Sequence, residues 1–114
     1  MRDAMNLLKE TIEAMTKNGK LPIQVVRVDC AVGYREKKSF SGSWDDFAEL
    51  SGAIEYDSGF GGQEINETLM VIGSDWWLER HEYDGSEWWE FKSLPKPREA
   101  AQTLTAASLL NRSI

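Results

Sequence analysis

Apolar residues recur at helical spacing through the first segment, at Met1, Met5, Leu8, Ile12 and Met15. Asp3 is placed to cap this helix, Lys17 suits its last turn, and Gly19 suits a left-handed stop. Pro22 excludes continuation. The Met-rich stripe reads as a face packed on a sheet, with an adaptable partner-binding face as the alternative. From Ile23 to Val32 the pattern changes to a β-branched run, which predicts a strand. Val26, Val28, Cys30 and Val32 share one face, while Ile23 and Val25 begin the other, as in a central strand covered on both sides for part of its length.

Tyr34 to Phe40 reads as a second strand or a long loop. Ser43 caps a short helix over Trp44 to Leu50, with Asp45 and Asp46 in its first turn and Gly52 past its end. Trp44, Phe47 and Leu50 are its candidate core residues, and Asp45, Asp46 and Glu49 form an acidic exposed side. Short strands are expected at Ala53 to Tyr56 and Thr68 to Ile72, with a glycine-rich loop, Asp57 to Gln63, between them. A C-terminal helix is expected from Pro97, with Ala100, Ala101, Leu104, Ala107, Leu110 and Ile114 as its apolar set.

The most informative stretch runs from Trp76 to Phe91. It places four of the chain's five Trp on the two arms of one hairpin. Asp84-Gly85 between aromatic-rich runs is a strong hairpin signal. A two-residue turn there sets Glu82 opposite Glu87 and Glu79 opposite Glu90, and like charges directly opposite are destabilising. A three-residue loop, Tyr83-Asp84-Gly85, instead pairs Trp77 with Phe91, Arg80 with Trp88 and His81 with Glu87, so register reasoning favours it. One face then carries Trp77, Trp89 and Phe91 and is expected to be core. The other carries Trp76, Leu78, Arg80, Trp88, Glu90 and Lys92 and is expected to be partly exposed. Trp76, Arg80, Trp88 and Glu90 are therefore candidate partner-binding residues, joined by Phe60 at the tip of the glycine-rich loop. A sheet covered by a helix on each face remains the other arrangement.

Composition narrows the chemistry. The 114 residues fit one domain, residues 1–114, with a formal net charge of −6. That charge promotes solubility or attracts a basic partner. Direct nucleic-acid binding is disfavoured, because Arg35, Lys37 and Lys38 are the nearest approach to a phosphate-tracking stripe. No apolar run approaches the roughly 20 residues that span a bilayer, and no secretory signal is read, so a cytoplasmic location is expected. One Cys and one His argue against a disulfide and a zinc site, and Cys30 reads as a small core residue. Gly59, Gly61 and Gly62 match neither a P-loop nor a dinucleotide fingerprint. The acidic residues lack the alternation of a calcium loop. No catalytic residue, metal or cofactor is assigned. His81 with Glu79 and Glu87 is the one acid–base candidate, and an ordinary cross-strand ion pair accounts for it.

The segment Asp57 to Ile65, followed by Trp76-Trp77-Leu78-Glu79-Arg80 and Tyr83 to Phe91, resembles small proteins carried by bacterial phages and mobile elements, a group with no activity attached. The resemblance covers roughly the second half of the chain and is of motif grade. It implies a small accessory protein that interferes with or regulates a host system. The expected fold is α+β: an antiparallel sheet ending in a meander, with an N-terminal amphipathic helix, a short middle helix and a C-terminal helix packed on it. The expected function is non-enzymatic protein binding through an aromatic and acidic surface, in its most specific form inhibition of a basic host protein such as a nucleic-acid-guided nuclease. The alternatives are a small enzyme using His81 and a structural subunit that self-associates.

Overall fold

The first helix begins where Asn6 can cap it. The computed structural model describes residues 4–59, 62–95 and 105–110. Met5–Asn6 form a short strand, β1, and the Asn6 side chain accepts a hydrogen bond from the Lys9 N–H at 3.0 Å, opening helix α1, Leu7–Lys17. The expected cap, Asp3, lies outside the described residues. The buried stripe of α1 is Leu7, Thr11 and Met15, rotated from the expected Met5, Leu8, Ile12 and Met15, and Ile12 is exposed. The rotation follows from chemistry on the facing sheet. The Thr11 hydroxyl donates to the Leu7 carbonyl at 2.7 Å and accepts the Trp89 indole N–H at 3.0 Å. A hydroxyl is thereby needed on the inward face. Gly19 ends the segment at φ +71°, as its position predicts.

Pro22–Gln24 make a 3₁₀ turn rather than a strand start, and Ile23 is exposed. Strand β2 is Arg27–Val32 and strand β3 is Lys38–Gly42, antiparallel with Cys30 opposite Phe40. Helix α2, Trp44–Ser51, is capped by Ser43, which accepts from the Asp46 N–H at 3.1 Å, as expected. Phe47 is buried and packs beside Trp44, but Leu50 is exposed. Strand β4, Glu55–Tyr56, pairs with β1, and Asn6 Nδ2 donates to the Gly52 carbonyl at 3.0 Å, tying the two helices together. Strands β5 (Met70–Ile72), β6 (Trp76–Tyr83) and β7 (Ser86–Ser93) complete a five-stranded antiparallel sheet of order β3-β2-β5-β6-β7. Thr68 lies short of β5, and its hydroxyl takes up the backbone N–H of Ala31 at 2.7 Å.

The fold is α+β, with the meander β5-β6-β7 as expected. Val28, Val71, Leu78 and Phe91 fall in one cross-strand row, and Leu7, Met15, Phe47, Tyr56, Trp76 and Trp89 join the core over it. Both helices lie on this inner face. Among the described residues β2 is therefore covered by helices on one side, with Arg27, Asp29 and Ala31 outward. Residues 105–110 are exposed, with a 3₁₀ turn at Ala107–Leu109, where a packed helix was expected; the rest of that expected helix lies outside the described residues. Among the described residues no helix is long and apolar enough to cross a membrane.

Candidate functional site

The hairpin turn decides which side chains meet solvent. Asp84 has φ +52° and Gly85 φ +85°, and Tyr83 pairs with Ser86. This is a two-residue loop with both central residues left-handed, the I′ geometry that Asp-Gly favours because its twist matches that of the strands. The three-residue loop is thus overturned. Glu82 stands opposite Glu87 and Glu79 opposite Glu90. The repulsion that argued against this register is removed by partners that lie far away in sequence or two residues along a strand.

Glu87 turns into the core. It accepts the Glu64 N–H at 2.6 Å and the Ile65 N–H at 3.1 Å, and it pairs with Arg80 Nη2 at 2.9 Å. Arg80 also reaches Glu10 of α1 at 3.2 Å and the Tyr56 hydroxyl at 2.9 Å, and its guanidinium stacks 4.8 Å from the centre of the Trp89 ring. Burial pulls the guanidinium toward neutrality, but Tyr56, Glu10 and Glu87 outweigh it and hold the charge above its ordinary range. Burial, and donation to Glu10, push the Tyr56 phenol upward. This network joins α1, β4, β6, β7 and the 64–65 loop. With Arg80 only 6 % exposed, it is internal scaffolding.

Trp76 is 2 % exposed and stacks on Phe91 at 5.9 Å and 19°. The chain folds closely over its indole: a Cβ on Gly73 would come within 2.1 Å of Trp76 Nε1. Trp76 and Arg80, expected at a partner surface, therefore belong to the core, because the two-residue turn sends their face inward. Phe60 lies outside the described residues. Trp88 and Glu90 remain on the outer face, which gains Trp77, expected in the core.

On that face Trp77 pairs with Lys92, Glu79 with Glu90 and His81 with Trp88. Each Trp hydrogen-bonds a carboxylate two residues along its own strand. Trp77 Nε1 donates to Glu79 at 2.6 Å and Trp88 Nε1 to Glu90 at 3.3 Å. The His81 ring bridges the two carboxylates, with Nε2 2.6 Å from Glu79 and Nδ1 3.1 Å from Glu90, and Lys92 lies 3.4 Å from Glu90. The indole of Trp77, then His81, hold the Glu79 carboxyl below its usual range. Further along, Met70 and Ile72 continue the face, and the Ser41 hydroxyl, then Arg27, lower Asp29. Trp77, Trp88, Met70 and Ile72 are all half-buried. The alternation of the hairpin, read with the two-residue I′ turn that Asp-Gly favours, would have given this assignment of faces; the charge-pair argument led instead to the three-residue loop and the wrong face for Trp76, Trp77 and Arg80.

The arrangement offers two aromatic rings, apolar flanks and satisfied carboxylates on an open sheet face. His81 spends both ring nitrogens on carboxylates. Among the described residues no group of three or more His, Cys, Asp or Glu is placed to hold a metal ion. No protein-family model, curated protein or solved structure matches this chain.

Proposed function

We propose that the protein is a non-enzymatic binding module whose contact surface is the outer face of the sheet, with Trp77 and Trp88 as anchors and Glu79 and Glu90 beside them. The carrying observation is that both helices lie on the inner face, leaving this aromatic face uncovered by any element among the described residues. Trp is the residue type most enriched at binding hot spots, and the two carboxylates set a polar rim. In its finer form, supported by the net charge of −6 and by the resemblance of the hairpin, the protein is a cytoplasmic accessory protein of a phage or mobile element that occupies a basic host protein, such as a nucleic-acid-guided nuclease.

The test is affinity capture from a bacterial lysate, comparing the protein with a Trp77→Ala/Trp88→Ala variant whose fold is verified by circular dichroism. A basic protein retained by the first and lost by the second is the expected result. Equal retention by both would move the contact elsewhere. A His81→Gln variant separates the enzyme reading, since the binding reading expects it to retain its partner.

A further inference from the structure

The outer face holds a proton-dependent contact between its two long strands. His81 is the chain's one histidine. Its Nε2 lies 2.6 Å from Glu79 on its own strand, and its Nδ1 lies 3.1 Å from Glu90 on β7. Glu79 and Glu90 stand directly opposite each other, so the ring joins two like charges that would otherwise repel. A neutral imidazole has one N–H and one lone pair. Only the imidazolium presents a donor to a carboxylate at each nitrogen. The two contacts together therefore describe a protonated His81.

Few other charges reach the ring. To this side β6 contributes Glu79 and, toward the turn, Tyr83, while β7 contributes Glu90 and Lys92. On the far side of β6, Met70 stands opposite Glu79 and brings no charge. Asp29 follows in the same row, already taken up by Arg27 at 2.7 Å and the Ser41 hydroxyl at 2.6 Å. Both helices lie on the inner face, so among the described residues no helix adds a charge here. With His81 protonated, Glu79, His81, Glu90 and Lys92 are neutral as a group. Without that proton they carry one negative charge. Water reaches the contact, since the His81 side chain is 36 % exposed and that of Glu90 34 %. Imidazole is also the side chain that changes charge near neutral pH.

The two contacts are unequal. Glu79 has the shorter one and also accepts the Trp77 indole N–H at 2.6 Å. Glu90 has, besides His81, the longer contacts to Trp88 Nε1 at 3.3 Å and Lys92 at 3.4 Å. When one proton leaves, the remaining N–H stays on Nε2 toward Glu79. The Nδ1 lone pair then faces the Glu90 carboxylate, acceptor to acceptor, and Glu90 is let go. We propose that His81 is a proton-operated latch on the contact face: protonated, it ties Glu90 to Glu79; deprotonated, it keeps Glu79 and frees Glu90 for a Lys or Arg of a basic partner. This regulation rests on the outer face being the contact surface, and it adds a direction: capture strengthens as His81 loses its proton.

NMR of the isotope-labelled full chain tests the latch without a partner, because one histidine gives one set of imidazole signals. Between about pH 5 and pH 8 the ring should pass from both nitrogens protonated to the Nε2–H tautomer. The Glu90 carboxyl carbon should move in step, and the Glu79 carbon much less. In a His81→Gln variant, with its fold verified by circular dichroism, the Glu90 movement should vanish. An Nδ1–H tautomer in the wild type, or an undiminished Glu90 movement in the variant, would overturn the proposal. Polylysine, whose own charge is constant over this range, serves as the basic probe. Its affinity, read from the Glu90 and Trp88 Nε1 signals, should be about 2- to 5-fold tighter at the upper pH in the wild type, the effect of one exposed charge pair. It should be equal at both pH values in His81→Gln. Equal wild-type affinity at both would also overturn the latch. Capture by the Trp77→Ala/Trp88→Ala variant decides the contact face separately, since the wild-type imidazole signals are read whether or not a partner is captured.

Discussion

Single side chains set the limits of this fold. Arg80 and Glu87 both have fully buried side chains 2.9 Å apart. Removing one partner leaves the other charged in the core, which costs roughly 3–5 kcal/mol. Arg80→Met should lower stability in urea unfolding by that order. Arg80→Met/Glu87→Gln should lose less than the sum of the two single changes, the signature of a coupled pair. Gly73→Ala should cost about 1–3 kcal/mol, since its Cβ would meet the Trp76 indole and both are fixed by packing. Glu79 gives the pH dependence. Its folded value lies below its ordinary 4.5, so its contribution is complete above that pH and is lost as pH falls through the lowered value. Trp77→Phe removes the largest cause and should move the Glu79 titration upward in a carboxyl NMR experiment, whereas Trp88→Phe should leave it nearly in place.

At the scale of elements, local signals placed the pieces and non-local partners placed their faces. Ser43 and the acidic first turn made α2 legible in the sequence, as Gly19 did the end of α1 and Asp84-Gly85 the hairpin. Each is a signal confined to a few residues. The buried stripe of α1 was not legible, because Thr11 turns inward to meet Trp89, 78 residues away. The hairpin register was misread because the cross-strand Glu pairs looked repulsive in isolation. Nothing within the hairpin reveals that Glu64 and Ile65 would donate to Glu87. The alternation itself was sound, so the inversion of register exchanged Trp76 and Arg80 for Trp77 on the outer face. Gly85→Ala places a Cβ on a residue at φ +85° and should destabilise the hairpin by about 1 kcal/mol or more in the same unfolding assay.

Among the described residues the sheet is covered on one side. Both helices and the buried Arg80–Glu87–Glu10 network lie on the inner face, and Trp77, Trp88, Met70 and Ile72, with the Glu79–His81–Glu90 cluster, lie on the outer one. An account in which this face binds a protein expects the two Trp to carry much of the affinity. Each such anchor is worth about 2 kcal/mol or more, or roughly 30-fold in Kd. The measurement that bears on it most directly is hydroxyl-radical footprinting of the protein alone and with its captured partner. Binding should suppress oxidation at Trp77, Trp88 and Met70 and leave exposed Tyr34 and Leu50 unchanged. Unaltered oxidation of Trp77 and Trp88 in the complex, with protection elsewhere, would contradict the assignment of the outer face as the binding surface.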